Sequence, residues 1–118
     1  MDFRFMEATV SDIHEAMLAK KLTCRELVEY YLKRIEAYDK QGPSLNAVVC
    51  VNPQALEEAD RLDCELNKTG RLGGALHGIP VLLKDNYDTF DMPTTAGSAA
   101  LAGFVPEDDG FVVDKLRK

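Results

Sequence analysis

Between residues 24 and 39 the apolar side chains Cys24, Leu27, Val28, Tyr31, Leu32, Ile35 and Tyr38 recur at spacings of three and four. That period lines one face of a helix and predicts a long amphipathic element over about 24–39. Its start, Thr23-Cys24-Arg25-Glu26, fits a capping box, and Gln41-Gly42-Pro43-Ser44 stops it. A shorter helix over about 10–19 precedes it, with a Thr9 to Asp12 start and a narrow apolar face of Ile13, Met17 and Leu18. Asn52-Pro53 opens a third over about 53–67, with Asn as cap, Pro at the first position, and Leu56, Ala59, Leu62 and Leu66 on the buried face. A fourth is expected over about 109–118, where Glu107, Asp108 and Asp109 place negative charge at the start and Val112, Val113 and Leu116 begin an apolar face. Ala99 to Ala102 fits a single helical turn.

Two runs follow another rule. Residues 46–51, NAVVCV, and 79–84, IPVLLK, are short and continuously apolar, the pattern of strands buried on both faces. Helices alternating with such strands give an α/β class, helix-rich with two to three strands. The second run ends in Lys84, and an unpaired ammonium is costly to bury. Two readings of Lys84 stand side by side. Either it turns outward where the strand ends and pairs with Asp85, or it sits at the C-terminal end of a parallel strand, where open α/β sheets place their chemistry.

Composition narrows the function classes. The chain has 118 residues, 46% hydrophobic and 29% charged, enough for a small globular core. A net charge of -6 with no Lys/Arg cluster speaks against a nucleic-acid surface. No apolar run reaches transmembrane length, and MDFRFMEATV lacks the long apolar segment of a signal peptide, so a cytoplasmic protein is expected. Cys24, Cys50 and Cys64 form no CxxC pair and read as reduced thiols, while His14 and His77 lack ligand spacing, so no metal site is expected. Glu57, Glu58, Asp60, Asp63 and Glu65 read as a solvated helix face. Gly70, Gly73, Gly74 and Gly78 match neither phosphate-loop spacing and precede a strand, so nucleotide binding gains no support.

The fourth helix has a start signal but no stop, and strands apolar on both faces belong in a wide sheet that two strands cannot form. The expectation is a single incomplete segment, the N-terminal part of a longer α/β protein.

Taken together, NAVVCVNPQALEEADRLD, LHGIPVLLKDNYDT, MPTTAGS and FVVDKLRK, in that order, resemble the N-terminal portion of the amidase signature family. The resemblance covers nearly everything from Thr9 to Lys118. It implies a mixed-sheet α/β/α fold of which this chain holds an incomplete part. It also implies hydrolysis of carboxamide C–N bonds by a triad of serine, cis-serine and lysine. Only the lysine is present, Lys84 at the K of KDN, because no Gly-Gly-Ser-Ser-Gly-type run occurs in these residues. Ser98 does not match the family's nucleophile position and reads as loop structure or a helix cap. A serine hydroxyl needs a base, and a lysine serves as one where burial disfavours its charged form. Val81, Leu82 and Leu83 packed on both faces would create such a place around Lys84. The oxyanion is held by backbone N–H groups from the missing part. No organic cofactor or metal is implied. The implied partner is a small-molecule amide in the full-length protein, with no nucleic acid and no membrane, and a homo-oligomer is left open.

Three functions are weighed. The first is a general amidase acting on a small or an aryl/alkyl carboxamide, which the MPTTAGS wording favours. The second is the glutaminase subunit of a transfer-RNA-dependent amidotransferase. The third is a truncated, non-catalytic remnant or partner-binding module, since the 118 residues alone are expected to be inactive.

Overall fold

The computed structural model describes residues 3–118; the first two residues of the N-terminal stretch read above for an apolar leader lie outside them. Its elements are α1 (Val10–Leu18), α2 (Cys24–Arg34), a π-helical turn (Ile35–Lys40), α3 (Ala55–Thr69), a 3-10 turn (Ala99–Leu101) and α4 (Phe111–Arg117). They fall into two compact units: the residues up to Ala47 together with Pro53–Pro80, and Val48–Asn52 together with Val81–Lys118.

The first unit is helical. α1 and α2 each start with a capping box, Thr9 with Asp12 and Thr23 with Glu26, in which hydroxyl and carboxylate satisfy free amide groups reciprocally. α2 packs on α3, and the core between the three helices gathers Ile13, Ala16, Met17, Leu22, Cys24, Leu27 and Ala59. α3 also closes the start of α2. The Asp63 carboxylate accepts the amide groups of Cys24 at 2.7 Å and Arg25 at 3.1 Å. Asp60 meets the Arg25 guanidinium, so part of the acidic face expected to be solvated is turned towards α2. Phe5 stacks on Tyr30 of α2 at 4.1 Å between ring centroids, which ties the N-terminal segment to the same core.

The helix expected over 24–39 is α-helical only to Arg34 and then widens. The wider turn brings Asp39 inward, where its carboxylate accepts the Ala47 amide at 2.7 Å and its carbonyl accepts Asn46 N–H at 3.0 Å. α3 begins at Ala55 rather than at Pro53, with Gln54 at its cap position, and Asn52 donates its side-chain amide to Asp91 at 2.9 Å. α4 begins at Phe111 with Gly110 as cap, and Asp109 is spent elsewhere, on Phe90 N–H and Arg117.

The strands expected over 46–51 and 79–84 are corrected: among the described residues neither run is a strand. Their opening residues are consumed in turns. Asn46 adopts a φ of +51° as it closes onto Asp39, a left-handed conformation outside the β region. Gly78 has a φ of +70°, and Ile79 N–H bonds back to Leu76 at 3.0 Å. The remainder of each run is largely exposed, with Val49 at 74% and Leu82 at 81%, so nothing supplies the two packed faces that a buried strand requires. Among the described residues no helix is long and apolar enough to cross a membrane.

His77 is buried at the end of the first unit. Its Nδ1 accepts Gly73 N–H at 3.0 Å, its carbonyl accepts from His14 Nε2 at 2.9 Å, and its own Nε2 is buried without a hydrogen-bond partner among the described residues.

Candidate functional site

Lys84 lies in the second unit at the end of the largely exposed run 81–83, and it is itself exposed. The expectation that Val81, Leu82 and Leu83 would bury it is therefore corrected. Val81 is 47% and Leu82 81% exposed, since side chains on an unpaired extended segment have no facing layer. Lys84 is turned outward, as in the alternative reading, but without the ion pair to Asp85. Both Asp85 oxygens are committed to Thr95: Oδ1 accepts its amide at 3.0 Å and Oδ2 accepts its hydroxyl.

A tight polar frame follows from there. Lys84 C=O accepts Tyr87 N–H at 3.0 Å, which turns the chain immediately after the lysine. Asp85 C=O accepts Ala96 N–H at 2.8 Å, and Tyr87 C=O accepts the buried Thr94 hydroxyl at 3.2 Å. The KDN and TTAGS segments are thus laced together by main-chain and side-chain bonds. The two bonds donated by Thr95, hydroxyl first and amide second, hold the Asp85 carboxyl below the usual carboxylate range. At the tip of the loop Ala96 and Gly97 both take positive φ, +48° and +74°. For alanine that conformation costs about 1–2 kcal/mol, so the surrounding bonds must enforce it.

Behind the loop, α4 is an anchor. The Arg117 guanidinium meets Asp91 at 2.9 Å and Asp109 at 2.7 Å and lies 4.7 Å from the centroid of the Phe90 ring. Partial burial works against its charge, but hydrogen bonds and attraction from the two acids outweigh that and hold it more firmly protonated. Gly110 N–H adds a bond to Asp88 C=O at 2.9 Å. Ser98 is exposed and stands at the cap position of the Ala99–Leu101 turn without a side-chain capping bond. Among the described residues no group of three or more His, Cys, Asp or Glu is disposed to hold a metal ion.

Sequence reasoning singled out Lys84 but not its clamp. Asp85 and Thr95 are ordinary turn residues in sequence, and only the fold brings them together.

The profile of the Amidase family matches residues 26–118. A probable amidase of Arabidopsis thaliana is 48% identical over 98% of this chain and 22% of its own length. A glutamyl-tRNA(Gln) amidotransferase subunit from Bdellovibrio bacteriovorus is 38% identical over 100% of this chain and 23% of its own. The X-ray structure of native peptide amidase from Stenotrophomonas maltophilia superposes with a TM-score of 0.90 at 48% identity, covering 98% of this chain and 23% of that one. The chain therefore spans less than a quarter of the length of these relatives. With the family profile covering 93 of 118 residues (26 through 118), this chain belongs to the amidase family.

Proposed function

We propose that this chain is the lysine-bearing segment of an amidase that hydrolyses a carboxamide C–N bond, giving a carboxylate and ammonia or an amine. The observation that carries the reading is the ordered set LHGIPVLLKDN and TTAGS, with Lys84 at the lacing of the two segments, in a chain 48% identical to a peptide amidase. Lys84 acts as the base of a Ser–cis-Ser–Lys triad whose two serines come from sequence outside these 118 residues. Neutral Lys84 takes a proton from the bridging serine, which in turn takes the proton of the nucleophilic serine hydroxyl as that oxygen attacks the carbonyl carbon. Collapse of the tetrahedral adduct breaks the C–N bond, and the proton returns through the same pair to the leaving nitrogen. Water then cleaves the acyl-serine ester by the same proton route. Backbone N–H groups outside this segment hold the oxyanion. Lys84 is exposed here, and in this reading those other regions supply the low-dielectric surroundings that a lysine base needs.

A second reading, the glutaminase subunit of a transfer-RNA-dependent amidotransferase, is favoured by the 38% identity to a protein of that kind over the whole chain. The higher identity to amidases favours the first. The full-length protein, purified without partner subunits, is expected to release ammonia from small aryl or alkyl carboxamides. Ammonia release from glutamine alone, and only with partner subunits present, would replace the first reading by the second.

A further inference from the structure

We propose that Asp85 is a positioning residue for Lys84, acting through Thr95. The proposal rests on the assignment of Lys84 as the base.

Asp85 joins the two segments three times. Its carboxylate takes the Thr95 amide at 3.0 Å and the Thr95 hydroxyl, and its carbonyl takes Ala96 N–H at 2.8 Å. Every one of these bonds leaves from the residue bonded directly to Lys84. The chain next to the lysine is therefore held at both side chain and carbonyl, while the adjoining Lys84 C=O to Tyr87 N–H bond fixes the turn after it. A freely rotating surface aspartate beside a lysine would be expected to pair with it. This one is committed to Thr95 instead, and its carboxyl is held ionised by those bonds. The left-handed Ala96 is the second sign that the geometry is imposed, because an alanine adopts that conformation only when its surroundings require it. The Thr95 hydroxyl also accepts Gly97 N–H at 3.2 Å, so the same threonine links the Asp85 clamp to the strained tip.

A proton-transferring lysine needs its Cα placed to a fraction of an ångström, since small displacements of a reacting group cost large factors in rate. In the full-length enzyme turning over a small carboxamide, Asp85→Ala is expected to lower kcat by about 10- to 100-fold with KM changed by less than about threefold. Asp85→Asn, which keeps an acceptor for the Thr95 amide and a polar group for its hydroxyl, is expected to recover most of that loss. Thr95→Val, which keeps the amide but removes the hydroxyl, is expected to fall between Asp85→Ala and wild type. Rates are taken per folded enzyme, with Tm measured in parallel, and Thr95→Val decides the matter if Asp85→Ala does not fold. Wild-type kcat in either Asp85→Ala or Thr95→Val overturns the proposal, and Thr95→Val alone decides when the alanine variant is unfolded. So does an Asp85→Asn variant as slow as Asp85→Ala. Lys84→Ala is run beside them: if it is inactive while the clamp variants turn over normally, only the positioning role fails. If Lys84→Ala itself turns over normally, the assignment beneath it fails.

Discussion

A methyl group on Gly78 would overlap Cys24 Sγ and come within 3.1 Å of Met17 Cε, in a backbone at φ +70° that side chains rarely adopt. Cys24 is fully buried and cannot swing aside. Gly78→Ala is therefore expected to cost about 1–3 kcal/mol, read from chemical denaturation, through overpacking and backbone strain together; an unchanged midpoint would contradict this packing. Cys24 carries its own consequence. Burial first, and the nearby Asp63 carboxylate second, push its thiol from 9.0 up to about 12. The folded protein thus holds this proton more tightly than the unfolded chain. The resulting stabilisation is complete below pH 9 and is lost as pH rises towards 12. The expected result is that Cys50 and Cys64, both exposed, are alkylated at neutral pH while Cys24 reacts only on unfolding. Equal labelling of all three in the folded protein, followed by peptide mass spectrometry, would contradict it. At this scale Gly78 reads in sequence as a turn residue, but its reason is contact with a cysteine far upstream, which no local pattern carries.

The helices were legible because their signals are local. Thr9 with Asp12 and Thr23 with Glu26 bond within three residues, and both capping boxes form as their sequences suggest. The differences at helix ends go with tertiary bonds: the Asn52 side-chain amide reaches Asp91 while α3 starts after Gln54, and Asp109 pairs with Arg117 while α4 starts after Gly110. Asp63 works in the same way, since an acid in the middle of α3 gives no hint that it caps α2. Removing both acceptors with Asp63→Ala is expected to destabilise the first unit by about 1–2 kcal/mol, with Asp63→Asn less costly because one oxygen remains. Equal unfolding midpoints for wild type and Asp63→Ala would show that α2 does not depend on this cap. The two apolar runs carry a strand pattern yet form no strand for a related reason. Continuous hydrophobicity signals burial on both faces, but a ladder requires neighbouring strands, and Asn46 and Gly78 turn the chain at the start of each run.

For the whole molecule, the chain covers 22% and 23% of the lengths of the Arabidopsis thaliana and Bdellovibrio bacteriovorus relatives, and Val49, Leu82 and Phe111 stand 74%, 81% and 76% exposed. The order of motifs was enough to identify the family and to single out Lys84. The surroundings of Lys84 were not legible, because burial is set by what packs against a segment and not by its own composition. What the structure adds is the frame behind the lysine: Asp85 on Thr95, Thr94 on Tyr87, and Arg117 on Asp91 and Asp109. The most direct measurement is steady-state carboxamide hydrolysis by the full-length Lys84→Ala enzyme, with its folding checked by circular dichroism. The expected result is a folded protein whose kcat has fallen by about a thousandfold or more, the scale of a lost proton-transfer group. A folded Lys84→Ala enzyme with kcat near that of wild type would contradict it.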